Sequence, residues 1–254
     1  MTIQPVFPVA VNCPRWYKHR EQSSQPARGQ PARKALTVRV SFLKRLWVTF
    51  SCHVVGFYAS TLNNFVIKGS ENIPARGGVL LASNHISAYE TIFLPWAVIR
   101  HHPLQMLWAP AKEELFEKPF QRLLYSSWGA FPVRRKRDVK AAGVLNELLR
   151  DQKVMLFPEG TRHKDGKLGA GNRGVGKIIY DTRPTVVPTA LTGFNRWKFP
   201  GFGQPASVTF GPALDFNDLY QLEDCKETHN LIVARVMQAI AELLKKEGAY
   251  VGEV

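Results

Sequence analysis

Two short segments carry residues whose types and spacing are suited to chemistry: Asn84-His85-Ile86-Ser87-Ala88-Tyr89-Glu90 and Phe157-Pro158-Glu159-Gly160-Thr161-Arg162. The first offers an imidazole with a carboxylate five residues on, and the second a guanidinium and a carboxylate on a turn. Together they describe a general base beside an anion-binding pocket. On one continuous helix, residues five apart point about 140° away from each other, so a His85–Glu90 pair requires His85 to precede the helix. Ser87 and Glu90 form a Ser-x-x-Glu capping box, which predicts a helix start at Ser87 and gives Glu90 an alternative task on a backbone N–H. Glu159 and Arg162 follow the apolar run Val154–Leu156, with Gly160 permitting the turn; a surface ion pair is the plain alternative. A further cationic run, Arg134-Arg135-Lys136-Arg137, offers one or two more groups for a phosphate.

Several other chemistries are disfavoured. Gly169-Ala170-Gly171-Asn172-Arg173-Gly174 has dinucleotide-binding spacing, but a charged loop precedes it and no acid stands about 20 residues on. Gly171 to Lys177 starts like a P-loop and then places Ile178 where Ser or Thr must hold magnesium. No Gly-x-Ser-x-Gly elbow is present, and Cys13, Cys52 and Cys225 have neither zinc-ligand spacing nor the density of a disulfide framework. That cysteine usage predicts a reduced, cytosol-facing location.

Short apolar runs alternating with helical patterns predict an α/β domain with a mixed, largely parallel sheet flanked by helices. Strands are expected at Val79–Ala82, Gln105–Trp108, Phe131–Val133, Val154–Phe157, Val186–Leu191 and Ser207–Phe210. Helices are expected over 87–100, 113–127, 138–150, 172–181 and Thr228–Lys246. Of the formal charge of +14, a large part sits at the start, where residues 1–45 hold nine Lys/Arg and one acid. The domain reading is a disordered basic tail over 1–35, amphipathic membrane-interfacial helices over 36–67 and the α/β domain over 68–254. Leu43, Leu46, Trp47, Phe50, Val54 and Phe57 recur at helical spacing in a stretch without acids, but with too much polarity for a membrane span. A core-facing helix is the alternative.

The chain resembles the glycerolipid acyltransferases, most closely the 1-acylglycerol-3-phosphate (lysophosphatidate) acyltransferases. The likeness covers roughly residues 65–215 and rests on Asn84-His85 with an acid at 90, Ala111–Leu115, Gly129–Arg135, Leu156–Arg162 and Val186-Val187-Pro188. It implies acyl transfer from acyl-CoA or acyl carrier protein to a lysophospholipid hydroxyl at a membrane surface, facing the cytoplasm, with no metal or further cofactor. His85 and Glu90 are then the catalytic pair. Arg134, Arg135, Glu159, Gly160, Thr161 and Arg162 bind the acceptor. One departure is Glu90, where the family carries Asp. A catalytically weak lipid-binding protein on the same fold is the second reading; a nucleic-acid binder ranks below it, for want of a recognition helix, zinc spacing or aromatic platform.

Overall fold

Apolar side chains of alternating direction build the centre of a seven-stranded sheet in a computed structural model that describes residues 40–134 and 139–249. The expected tail over 1–35, and Arg135, lie outside the described residues. The elements are α1 (Phe42–Thr61), β1 (Asn64–Lys68), β2 (Val79–Ser83), α2 (Glu90–His101), β3 (Leu107–Lys112), α3 (Pro119–Ser127), β4 (Ala130–Val133), α4 (Val139–Leu148), β5 (Lys153–Leu156), α5 (Arg173–Thr182), β6 (Thr185–Thr192), β7 (Pro205–Phe210) and α6 (Lys226–Lys246). The sheet order is β1-β7-β6-β2-β5-β3-β4. Neighbours pair in parallel except β6 with β7, so β1 and β7 run against the other five.

β2 is buried along its whole length because helices cover both faces of the sheet. Val79 and Leu81 join a layer with Val48, Phe93, Leu94 and Trp96 from α1 and α2. Leu80 and Ala82 face the opposite layer, with Leu145, Ile179, Ile232 and Ile240 from α4, α5 and α6. Each such fully buried aliphatic side chain contributes about 1.5–3 kcal/mol. The strand that will carry His85 is thus fixed from both sides.

Helical structure does not extend through residue 67 as expected. α1 ends at Thr61, and Asn64–Lys68 pairs with β7 as an edge strand. Its exposure alternates, with Phe65 and Ile67 turned inward, a two-residue period that the longer helical stripe masks in the sequence. β3 begins at Leu107, two residues after its expected start. The predicted helix over 113–127 divides into a 3-10 turn at Glu113–Phe116 and α3, which opens on Pro119, where a missing N–H is harmless.

α1 packs on α2 through Val48, Cys52, Gly56 and Ala59. The Trp96 indole fills the place of a side chain at Gly56, where a Cβ would come within 1.8 Å of Nε1. The large apolar residues are on the other side. Phe42, Leu43, Leu46, Trp47, Phe50, Val54 and Phe57 are exposed, so the aromatic stripe is not the core-facing surface. Among the described residues no helix is long and apolar enough to cross a membrane.

Cys52 is free and buried, and burial pushes its thiol up to about 12, far from a reactive thiolate.

Candidate active site

The chain leaves β2 for β3 through α2 on one face of the sheet and leaves β5 for β6 through α5 on the other. The carboxyl end of β2 therefore opens between connections that diverge, where open α/β sheets place ligands. His85 stands there, one residue before Ile86 and ahead of α2.

Main-chain ties hold this segment. Asn84 is buried, and its side chain donates to the Leu191 carbonyl (2.9 Å) and accepts from the Leu191 N–H (2.8 Å), fastening the end of β2 to β6. The His85 N–H donates to Glu159 Oε1 at 2.7 Å, and the His85 carbonyl accepts from the His163 N–H at 2.7 Å. The other Glu159 oxygen accepts from the Gly169 N–H at 2.7 Å, and the Asn172 N–H donates to the Pro158 carbonyl. Burial pushes the Glu159 carboxyl above the usual carboxylate range, opposed by the Gly169 and His85 N–H groups and by the His163 and His85 rings.

The His85 ring is fixed on two sides. Nδ1 is in hydrogen-bonding contact with Glu90 Oε1, which also accepts from the Ile86 N–H at 2.8 Å. The ring stacks on Phe157, with centroids 4.0 Å apart and planes 15° apart. An oxygen that accepts from an obligate main-chain donor is placed to accept from Nδ1–H as well. That tautomer leaves the Nε2 lone pair for a substrate proton. The imidazole side chain is 14% exposed, while Glu90 is fully buried and cannot itself meet solvent.

The predicted capping box is not formed. Ser87 Oγ accepts from the Tyr89 N–H at 3.1 Å, and α2 begins at Glu90, whose carboxylate serves Ile86 and the imidazole. Glu90 also stands in the first turn of the helix, where the macrodipole favours a negative charge.

The other predicted residues separate into two groups. Gly160 adopts φ +66°, which favours glycine and turns the chain after Glu159. Thr161 and Arg162 follow on the surface, and Arg162 has no ion pair among the described residues. Glu159 belongs to the frame of the loop, where main-chain donors take both its oxygens. Arg134 follows β4 at the far edge of the sheet, three strands from β2 and so about 14 Å away at a spacing of about 4.8 Å. It forms a two-point pair with Glu113 at 2.8 and 3.1 Å.

Two participants had little advertisement in the sequence. Phe157 supplies the stacking surface, and the glycine-rich segment considered for dinucleotides supplies Gly169 N–H to Glu159. A cavity of about 500 Å³ adjoins the site through Ile86 and is also lined by Leu191, Trp197, Arg196 and Leu244. Among the described residues no cluster of three His, Cys, Asp or Glu side chains is placed to hold a metal ion.

A family model described as Acyltransferase matches residues 64–192, just over half of the chain. The chain belongs to the acyltransferase family. The matched acyltransferase segment runs from β1 to the end of β6 and contains His85, Glu90, Phe157, Glu159, Arg162 and Asn84 with its partner Leu191. Relatives named 1-acyl-sn-glycerol-3-phosphate acyltransferase include one from Borreliella burgdorferi, 28% identical over 139 residues and covering 52% of each chain. One from Pseudomonas aeruginosa is 28% identical over 187 residues, covering 69% of this chain and 68% of the relative. A third, from Limnanthes douglasii, is 26% identical over 177 residues, covering 65% and 60%. The chain thus spans about half to two thirds of the length of these relatives. The crystal structure of the 1-acyl-sn-glycerophosphate (LPA) acyltransferase PlsC from Thermotoga maritima has a TM-score of 0.63 at 21% identity, covering 87% of this chain and 88% of its own, so the two share a fold.

Proposed function

We propose that this acyltransferase-family chain moves a fatty acyl group from an acyl-CoA or acyl carrier protein thioester to the free hydroxyl of a lysophospholipid, with 1-acylglycerol 3-phosphate as acceptor and phosphatidate as product. The observation that carries this reading is the buried Glu90 carboxylate on Nδ1 of an imidazole whose own main chain is tied on both sides. His85 Nε2 takes the acceptor hydroxyl proton as the oxygen attacks the thioester carbonyl. The tetrahedral intermediate then expels the thiolate, which receives that proton from Nε2. Glu90 holds the tautomer and stabilises the imidazolium between the two steps. Arg162, exposed beside this loop, is assigned to the acceptor phosphate, with Thr161 near it. Arg134 is a weaker candidate because Glu113 already holds it at a distance from His85. The second reading, a catalytically weak lipid-binding or scaffold protein, needs only the main-chain task of Glu90 on the Ile86 N–H; the contact of the same oxygen with Nδ1 of His85 is what favours the catalytic reading.

The exposed stripe of α1 supports a location on a membrane surface, with the site facing the cytoplasm, where the thioester donors are found. The test is acyl transfer by the purified chain across a panel of lyso-acceptors with both donor types, with products read by mass. Phosphatidate from 1-acylglycerol 3-phosphate is the expected product. Replacement of His85 by alanine should remove it while leaving a folded protein. Turnover by His85→Ala would remove the imidazole from the mechanism.

A further inference from the structure

The loop between β6 and β7 holds Phe199 and Phe202 out in water, 71% and 72% exposed, in the segment Lys198-Phe199-Pro200-Gly201-Phe202-Gly203. This is not a slack excursion. Gln204 closes the loop on itself, accepting from the Lys198 N–H at 2.7 Å and donating to the Lys198 carbonyl at 3.0 Å. The end of α1 holds it from outside. Tyr58 Oη donates to the Gly201 carbonyl (2.7 Å) and accepts from the Gly201 N–H (3.0 Å), and the Gly203 N–H donates to the Leu62 carbonyl (2.8 Å). The Tyr58 and Phe199 rings meet edge to face at 5.5 Å. Two aromatic side chains are thus kept in solvent by ordered hydrogen bonds, an arrangement that gains nothing from burial within the fold.

The position of the loop indicates what covers it. It abuts the C-terminal end of α1, so Phe199 and Phe202 continue the exposed line of Phe50, Val54, Phe57 and Leu62. Its charge is one-sided: the stretch from Gly193 to Leu214 has Arg196 and Lys198, both exposed, and no acid, and residues 40–70 have none either. The feet of the loop, Arg196, Trp197, Gln204 and Pro205, line the cavity that reaches Ile86 beside His85; the acids Asp165 and Glu247 line it too, outside the loop, and Glu247 is paired with Lys68.

From these observations we infer that Lys198–Gly203 is a lipid-inserting wedge, which docks the cavity mouth on an anionic bilayer through Phe199 and Phe202 with Lys198 at the headgroups. This rests on the membrane-surface location proposed above and extends it to a second element and an orientation. The probe is partition into vesicles of equimolar phosphatidylcholine and phosphatidylglycerol, measured without any acyl donor. Burying one phenylalanine favours the membrane by about tenfold, so the double variant Phe199→Ser/Phe202→Ser should lose at least about tenfold in partition. Leu231→Ser, on α6 across the sheet, should lose nothing. Lys198→Glu should weaken binding to these vesicles by about fivefold or more and leave binding to pure phosphatidylcholine unchanged, which decides the matter if the serine pair unfolds. Equal partition of wild type and folded double variant, or an unaltered Lys198→Glu, overturns the wedge. So does a double variant that sheds self-association in sedimentation while still binding vesicles. A chain that transfers acyl groups but passes one of these overturning tests loses the wedge alone; one that partitions through the loop yet transfers nothing loses the enzymatic reading alone.

Discussion

Replacing Glu90 with glutamine isolates the charge of the carboxylate from its shape. Oε1 accepts from the Ile86 N–H and from Nδ1 of His85, so the amide oxygen must remain there, since an NH2 group would face the Ile86 donor. The tautomer of His85 is retained and its stacking on Phe157 is untouched. What disappears is the negative charge beside the imidazolium. A hydrogen bond to a charged group exceeds a neutral one by about 1 kcal/mol, which sets the lower limit. The attraction of two unit charges about 4 Å apart at an effective dielectric of about 20 is about 4 kcal/mol, which sets the upper. At about 1.36 kcal/mol per tenfold, kcat should fall between about fivefold and a thousandfold. KM should hardly move, because Glu90 is fully buried and cannot touch the acceptor. Glu90→Asp draws the carboxylate back by one bond, about 1.5 Å, and a displacement of about 1 Å costs on the order of a hundredfold. Steady-state kinetics with acyl-CoA and 1-acylglycerol 3-phosphate across a range of pH would measure both. A glutamine variant within twofold of wild-type kcat throughout would refute any role for the charge.

Asn84→Ala leaves the buried Leu191 N–H and carbonyl without their partner, and should cost about 2–4 kcal/mol in urea denaturation with a parallel fall in kcat. Arg162→Ala should raise KM for phosphate-bearing acceptors about tenfold to a hundredfold at unchanged melting temperature; an equal rise with a phosphate-free acceptor would argue against a phosphate contact. Burial pushes His229 below its usual range, with Lys177 and Arg173 adding to this and Asp224 opposing it; burial does the same at His102, with Lys153 and His101 adding and the Ile73 carbonyl opposing. The unfolded chain therefore binds more protons than the folded one once pH drops below about 6.5, so this contribution to stability is whole above that value and declines beneath it. The raised Glu159 carboxyl acts in the opposite sense, so the measure is the difference from His102→Gln/His229→Gln, whose urea midpoint should fall less than that of the wild type between about pH 7 and 5; equal falls would contradict the sign.

The central strands were readable because Val79–Ala82 and Val186–Leu191 are short, apolar and bounded, as strands covered on both faces must be. β1 was not, because its alternation sits at the end of an apolar helical stripe and five residues are too few to outweigh that longer period. At the site, the contact of His85 with Glu90 was legible as side-chain types at a telling spacing. The main-chain clamp made by Glu159 was not legible, since a carboxylate that accepts two main-chain N–H groups leaves no mark on the residues it binds. Asn84 stands beside His85 in the sequence, but its partner lies 107 residues away and is identifiable only in the fold. The orientation of α1 needed the structure too, because small Gly56 and Ala59 form the packed face while the large residues lie outside.

The Glu159 clamp also bears on how such a site persists through sequence drift. Its two bonds end on the amides of His85 and Gly169, and a Cβ at Gly169 would come within 2.3 Å of His163 Nε2 and 2.9 Å of Glu159 Oε2, so the clamp itself demands glycine there. Side chains elsewhere along the surrounding loops, which no bond of the clamp uses, can be exchanged to suit a different acceptor while the imidazole keeps its place. A scaffold framed in this way separates tuning of substrate preference from upkeep of the chemistry.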